Sequence, residues 1–238
     1  MRTKDLEIGP LKVIGIAGAS WILPNEPKRH AGEIVYLGAP PGMIDRDLDE
    51  YPWDEIDQTQ NVHIHHIDNS EGHPHSQTAD AKIGTRDVLI EYCTDGGGSQ
   101  NTEPEPVMSI NLNSFDATVR WCDLHDGQGR AIQISGDENW IYDRDDFDED
   151  PEIIGTRHSI YGNRAQGFSE EDFMIQLAMP EDQDVICDND LDGVYTMSHD
   201  HPPRREVYDP GQSCTGDLPD WDEIGHTGGE SPWKSAEE

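Results

Sequence analysis

Histidines are concentrated in one short segment of the chain, and histidine is a common ligand for transition metals. His63, His65 and His66 interleave with apolar residues, and Glu71 follows a few positions later. On a β-strand, His63 and His65 would project from one face and His66 from the other. Two imidazoles and a carboxylate form the ligand set of many non-haem iron sites, so one interpretation of the segment is a metal site. The other, which we favour, is a row of histidines facing solvent on one sheet face.

The same segment resembles the signature of the cupin family, in which a His-x-His pair is followed by a glutamate. The resemblance implies a metal-dependent enzyme that uses His63 and His65 as ligands. The segment departs from the signature because no glycine lies six positions before His63, and Glu71 lies too far along the chain. A cupin-like enzyme of a halophile is therefore our alternative prediction for the function.

A second candidate metal site is acidic. Asp188, Asp190 and Asp192 alternate along the chain and are followed by Gly193, which is the pattern of the first half of a calcium-binding loop. The twelfth position of such a loop is occupied by His199 instead of a bidentate glutamate. We predict a structural cation here (calcium, magnesium or sodium), with a plain acidic turn as the alternative.

Other chemical motifs are absent from the sequence. There is no phosphate-binding Gly-x-x-x-x-Gly-Lys-Ser/Thr loop and no Gly-x-Ser-x-Gly nucleophile elbow. The four cysteines, Cys93, Cys122, Cys187 and Cys214, are widely spaced, which excludes the usual Cys-x-x-Cys zinc sites. We favour four small buried hydrophobes, with a Cys187–Cys214 disulfide as the alternative. No catalytic residue or cofactor is predicted, so the chain is expected not to be an enzyme.

Charge restricts the environment more than it restricts the function. The chain has 50 Asp and Glu against 16 Lys and Arg, a formal net charge of −34. Repulsion of this size opposes folding in dilute buffer, but molar salt shortens the Debye length to about 3 Å. The composition therefore predicts a halophilic protein. It disfavours direct nucleic-acid binding, since phosphates are held by Lys and Arg.

Strand signals dominate the secondary structure. Short β-rich runs recur about every ten residues with Gly and Pro between them, which is the pattern of an antiparallel sandwich or barrel. Segment 107–112 alternates strictly, and 117–122 is its predicted hairpin partner. No internal repeat is evident and no apolar run is long enough for a membrane span. The N-terminus lacks a secretory signal, so we expect a protein that is made and kept in the cytoplasm, or released by assembly or lysis and not by secretion.

The predicted domain organisation is one β-domain over 1–238 with a turn-rich C-terminal arm at 210–238. The loop at 95–106, rich in Gly, Gln, Asn, Glu and Pro, is a candidate junction to a second small β-module. Trp221 and Trp233 are isolated aromatic residues in the arm, and we predict that they anchor it at an interface with partner chains.

In size, acidity and strand density, from the run between Val88 and Ile134 to the turn-rich tail, the chain resembles a major capsid protein of the icosahedral, internal-membrane viruses that infect haloarchaea. The resemblance implies an upright jelly-roll β-barrel and a structural function in the capsid shell of the virion. It also implies assembly with itself, with a second, smaller major capsid protein and with other capsid and vertex proteins. The viral membrane would lie beneath the shell, and this chain would be the larger of the two capsid proteins.

Overall fold

The described part of the chain folds into short strands, most of which lie parallel to one another. In the computed structural model, the described residues are 4–14, 33–38, 59–70, 77–96, 108–127, 130–136, 141–142, 152–167, 175–177, 183–191, 196–197 and 213–214. These ranges contain twenty strands and no helix, and so no helix that could cross a membrane.

Eighteen of the strands form three six-stranded parallel sheets. The first sheet consists of β1 (Lys4–Ile8), β4 (Gln60–His65), β7 (Arg86–Glu91), β10 (Ala117–Arg120), β15 (Ser159–Tyr161) and β18 (Val185–Cys187). The second sheet consists of β2 (Leu11–Lys12), β5 (Ile67–Asn69), β8 (Thr94–Gly96), β11 (Asp123–His125), β16 (Arg164–Gln166) and β19 (Asp190–Leu191). The third sheet consists of β3 (Glu33–Leu37), β6 (Gln77–Ala81), β9 (Met108–Leu112), β12 (Arg130–Ile134), β17 (Ile175–Leu177) and β20 (Thr196–Met197).

The eighteen strands of these sheets visit the three sheets in turn along the chain, so each third one returns to the same sheet one coil further along. The described residues thus form a parallel β-solenoid of six coils. A separate pair, β13 (Ile141–Tyr142) and β14 (Glu152–Ile153), is antiparallel and lies in the connection between the fourth and fifth coils. Because each coil rests on the next through main-chain ladders, side chains at equivalent positions form columns along the axis.

The core is built from columns that point inward. On the first sheet one column is continuous across all six coils and consists of Ile8, Ile64, Ile90, Val119, Ile160 and Ile186. Branched side chains suit this arrangement because they pack well on a pleated surface. Ile90 and Ile160 are fully buried, and burial of such a side chain stabilises the fold by about 1.5–3 kcal/mol. Like residues stacking on like residues thus form one continuous core.

The predicted antiparallel jelly roll is wrong, because all three large sheets are parallel. The predicted hairpin is also wrong: β9 belongs to the third sheet and pairs with β6 and β12, whereas β10 belongs to the first and pairs with β7 and β15. Residues 113–116 carry the chain from one sheet to the next. Side-chain alternation has a period of two in either kind of sheet, so it identifies strands but not their direction or partners.

The internal repeat escaped the sequence analysis because the coils differ in length. The core positions Ile64 and Ile90 are ladder partners in adjacent coils, and so are Val119 and Ile160, but the second pair is separated by a much longer stretch of chain. Repeat detection relies on a fixed period. Here the period is obscured by connections that differ from coil to coil.

The corner between the first and second sheets is the regular part of each coil. His66, Tyr92, Trp121, Gly162 and Asp188 occupy the equivalent position in five successive coils, and all have a positive φ between 51° and 65°. This left-handed conformation turns the chain sharply within one or two residues. The corner therefore fixes the same register between the two sheets in each of these coils.

Most of the predicted junction near 95–106 and of the C-terminal arm at 210–238 lies outside the described residues. The strands on either side of the junction, β8 and β9, belong to sheets that continue through the neighbouring coils. Cys214 is described, and it forms a disulfide with Cys187 on the last strand of the first sheet. Cys93 and Cys122 are buried free thiols. The prediction of small buried hydrophobes therefore holds for these two cysteines, and the alternative prediction of a disulfide holds for Cys187 and Cys214.

Candidate metal centre

Three potential metal ligands meet on the outer face of the first sheet. Glu7 on β1 lies opposite His63 on the neighbouring strand β4, and His65 is two residues further along β4. A two-residue step returns a strand to the same face, so the three side chains project together. One ligand atom from each residue lies within 4.8 Å of the others, and among the described residues this is the group of three His, Cys, Asp or Glu side chains that can hold a metal ion.

His65 lies at the centre of this group. Its Nε2 is 3.0 Å from Glu7 Oε1, and its Nδ1 is 2.9 Å from Nδ1 of His66. Its ring stacks on that of His63 with a centroid separation of 4.4 Å. If Nε2 of His65 held an ion, Nδ1 could donate to His66 Nδ1, and a hydrogen bond from the second ring nitrogen is what orients a metal-bound imidazole.

Glu91, on the next strand β7, lies behind His63. Its Oε1 is 2.9 Å from His63 Nε2, and both residues are buried, with 3% and 9% exposure. Burial raises the pKa of Glu91, but the hydrogen bond from His63 and the charge and hydrogen bond of Arg120 outweigh burial and hold the pKa below its ordinary value. Glu91 is therefore ionised and can only accept, so His63 Nε2 is the donor.

The chain of contacts continues along the solenoid axis through Arg120 and Tyr161. Arg120 Nε donates to Glu91 Oε2 at 2.7 Å, and Arg120 Nη1 donates to Tyr161 Oη at 3.2 Å. The guanidinium carbon lies 4.0 Å from the centroid of the Trp121 ring, a cation–π contact. Burial raises the pKa of Tyr161 despite the opposing charge of Arg120, so its hydroxyl stays protonated.

Most of this outer face is covered. Arg120 and Tyr161 are only 5% and 3% exposed, although their side chains point away from the core. The edge strand β1 is more open, and 70% of the Glu7 side chain is exposed. The expectation of histidines facing solvent is therefore wrong for His63, while the exposed carboxylate of Glu7 has room to adjust toward an ion.

The structure places His63 and His65 on one face, as a metal site requires, but their carboxylate neighbour is Glu7. Glu71 lies outside the described residues. Sequence analysis missed Glu7 because it lies far before His63 in the chain, and only the stacking of the first two coils brings it close. Glu91, Arg120 and Tyr161 were missed for the same reason, since they come from other coils. Knowing which residues of successive coils are ladder partners would have shown that these side chains lie close together.

The acidic candidate site is described only in part. Asp188 is at the corner position of the sixth coil, and Asp190 begins β19. Asp190 Oδ2 accepts a hydrogen bond from Gln166 Nε2 at 3.2 Å and lies 3.8 Å from Arg164 Nε. Asp192 lies outside the described residues, as do Trp221 and Trp233. The structural cation and the interface anchors therefore stay predictions.

The Glu7–His63–His65 group has the donor set of a catalytic metal site. Two imidazole nitrogens and one carboxylate oxygen suit zinc, and they also suit iron. If these residues held an ion, three protein ligands would leave at least one coordination position for water or substrate. Glu91 would supply the carboxylate that commonly orients a metal-bound histidine. In comparisons with known proteins, no protein family, no curated protein and no solved structure matches the chain.

Proposed function

We propose that the protein is a metal-dependent hydrolase-type enzyme whose ion is held by Glu7, His63 and His65. The observation that carries this proposal is the convergence of these three side chains within 4.8 Å on two adjacent strands. The contact between His63 and Glu91 supports it, because a buried carboxylate behind an imidazole fixes the ring for coordination.

The proposed reaction would use the coordination position that three protein ligands leave for water. A divalent ion held by Glu7, His63 and His65 would lower the pKa of bound water to near neutrality, so hydroxide would be available as a nucleophile. One proton of the water would pass to solvent, the hydroxide would add to an electrophilic carbon or phosphorus atom of the substrate, and the bond to the leaving group would break. The leaving group would take up one proton from solvent, so the sum is hydrolysis by one water molecule. We infer hydrolysis instead of an oxygenase reaction because hydrolysis needs water as its only co-reactant.

Two features support a working environment that is salty and oxidising. The net charge of −34 favours molar salt. The Cys187–Cys214 disulfide is characteristic of proteins that work outside a reducing cytosol. We therefore propose that the enzyme works outside the cytoplasm of a halophile.

Capsid function stays a prediction that no comparison tests. Its structural premise was the jelly roll, and the sheets are parallel instead. The metal centre, in contrast, rests on named atoms and distances, so the enzymatic function is the one that we put forward.

The proposal is tested with the full chain in about 3 M KCl, where surface charges are screened. Metal content and zinc affinity are measured for the wild type, for H65A and for the control H125A. His125 is also a histidine of the outer surface with an acidic neighbour, Asp126, at 2.9 Å, but it lies outside the metal centre. Hydrolysis is then measured with a panel of chromogenic esters, phosphate esters and glycosides, with and without added zinc.

We expect one equivalent of zinc in the wild type and in H125A, and loss of at least 90% of zinc binding and of any zinc-dependent hydrolysis in H65A. Equal zinc binding by H65A and the wild type would place the ion elsewhere and overturn the site. Stoichiometric zinc without hydrolysis of any substrate class would overturn the enzymatic function but leave the metal site intact.

A further inference from the structure

We propose that Gly9 is a positioning residue for the metal centre: because it has no side chain, the first coil lies close enough to the second for the Glu7 carboxylate to reach an ion beside His65. The proposal rests on the function proposed above, since it concerns how that same site is assembled. It adds a residue without a ligand atom to the three residues that would hold the ion.

Gly9 lies directly against the backbone of His65. Ile8 on β1 and Ile64 on β4 are ladder partners, so the residues that follow them, Gly9 and His65, are neighbours across the first two coils. A β-carbon at position 9 would lie 1.9 Å from the His65 carbonyl oxygen and 3.2 Å from Cε1 of the His65 ring. The φ of Gly9, +143°, is also a conformation that residues with a side chain rarely adopt. This close approach of the two coils therefore requires glycine.

The close approach matters for Glu7 because Glu7 and Gly9 lie on the same side of the first coil. They are two positions apart, which is the step that returns an extended chain to the same face. Glu7 Oε1 is 3.0 Å from Nε2 of His65. In the imidazole ring Nε2 is bonded to Cε1, the atom that a β-carbon at position 9 would meet. The separation of the two coils at Gly9 thus sets the distance between the Glu7 carboxylate and His65.

A side chain at position 9 would displace β1 more readily than β4. Among the described strands, β1 is at the edge of the first sheet and has one neighbour, whereas β4 is paired with β1 on one side and β7 on the other. A β-carbon needs at least 3.0 Å from backbone atoms, so alanine would push the first coil away by about 1 Å. A binding site needs its groups within about 0.5 Å of the productive geometry. A displacement of twice that size would weaken the bond from Glu7 to the ion.

The test is the zinc affinity of the full chain in about 3 M KCl, measured for the wild type, G9A, E7A and the double variant E7A/G9A. Circular dichroism shows whether each variant is folded. The matched control is G96A, because a β-carbon at Gly96 would lie 2.4 Å from the Ser70 carbonyl oxygen and 2.8 Å from Cε1 of His125. These are the same two kinds of atom, a backbone oxygen and a histidine ring carbon. Gly96 ends β8 of the second sheet and lies outside the metal centre.

We expect G9A to stay folded and to bind zinc at least about 10-fold more weakly than the wild type, with G96A within about 2-fold of the wild type. E7A should lose at least as much affinity as G9A, because it removes the carboxylate altogether. Without that carboxylate Gly9 has nothing to position, so the affinity of E7A/G9A should match that of E7A to within about 2-fold. A purely structural role of Gly9 would instead lower the affinity equally with and without Glu7.

Equal zinc affinity of G9A and the wild type would overturn the inference and leave the metal site standing. Additive losses in E7A/G9A would also overturn it, since Gly9 would then act through another group, and so would a loss in G96A as large as that in G9A. Complete unfolding of G9A would overturn it as well, because displacement of an edge strand leaves the other five coils intact. A wild type that binds no zinc would contradict the proposed function itself, which none of the other outcomes does.

Discussion

Asn189 lies directly above Asn163 at the corner of adjacent coils, and its Oδ1 accepts hydrogen bonds from both the backbone N–H and the side-chain amide of Asn163, at 3.1 and 3.0 Å. Asn163 repeats the pattern one coil below, where its Oδ1 accepts from the N–H of Cys122 and its Nδ2 donates to Val119 O. The side chains thus add hydrogen bonds to backbone groups at the sharp corner and on the strand before it. Both asparagines are buried.

Replacing Asn163 by alanine removes these bonds together. The N–H of Cys122 then loses its acceptor, at about 1–3 kcal/mol for a buried donor, and the bonds to Val119 O and Asn189 Oδ1 are lost with it. We expect N163A to lower the free energy of unfolding by about 3 kcal/mol, measured by urea denaturation in 3 M KCl. Q166A removes more exposed side-chain bonds, to Asp190 and Arg164, and should cost less than about 0.5 kcal/mol. Similar losses in the two variants would contradict the role of the corner asparagines.

His158 makes the stability depend on pH. It is fully buried, with Nδ1 accepting the N–H of Ala117 at 3.1 Å, and burial lowers its pKa to about 4 despite the opposing charge of Asp116. The unfolded chain, with a pKa near 6.5, binds more protons between these two values. Stability should therefore be complete above pH 6.5 and fall by roughly 3 kcal/mol as the pH decreases to 4.

The variant H158N isolates this contribution, since its Oδ1 can take the place of Nδ1 but does not titrate. Asp80 acts in the opposite direction, because burial raises its pKa to about 6 even with Lys82 beside it. That contribution cancels when H158N is compared with the wild type at each pH. We expect the difference in unfolding free energy to shrink between pH 6.5 and 4, and parallel profiles would exclude His158 as the source.

The Cys187–Cys214 disulfide should stabilise the last coil. The bond has a sequence separation of 27, and the chain-entropy relation gives about 3.5 kcal/mol for a loop of this length. We expect the double variant C187S/C214S to show faster amide hydrogen exchange in β18, with β7 and β10 unchanged. Uniform protection in both proteins would mean that the sixth coil is held by its ladder alone. Equivalent thiol reactivity of all four cysteines in the native protein would contradict the pairing itself.

Dilution of salt should unfold the protein. A net charge of −34 spread over 238 residues repels itself strongly once the Debye length exceeds the spacing between charges. We expect the melting temperature to rise steadily between 0.1 and 3 M KCl, followed by circular dichroism. Sucrose, which favours compact states without screening charge, should replace little of this effect at low salt. Equal melting temperatures at the two salt concentrations would contradict the prediction that the protein is halophilic.

The strands could be predicted from the sequence, but their direction and pairing could not. The alternation of Met108, Ile110 and Leu112 correctly marks a strand, because inward and outward side chains follow a period of two. It does not show that Ile110 packs beside Ala79 and Ile132 in a parallel ladder, since those neighbours are set by the coil path. The variable connections hide that path from any test of fixed period.

The residues of the candidate metal centre were likewise predictable only in part. His63 and His65 are next-but-one neighbours, so a strand alone brings them to one face. Glu7 and Glu91 come from the coils on either side, one long before His63 in the chain and the other well after it. Their proximity depends on the register between strands of different coils, and a local sequence pattern cannot predict that register.

The short corner between the first and second sheets, where residues take the left-handed conformation, restricts where insertions and deletions can occur in this protein. The connections between the first and second sheets never exceed two residues, as at 92–93 and 162–163, whereas the connection from β3 to β4 spans 38–59. Length variation is therefore confined to the other two corners. New loops can be gained, lost or grafted there without shifting the column that contains His65, Glu91 and Arg120. The solenoid thus separates a surface that can diversify from a frame in which every chemical group keeps its position.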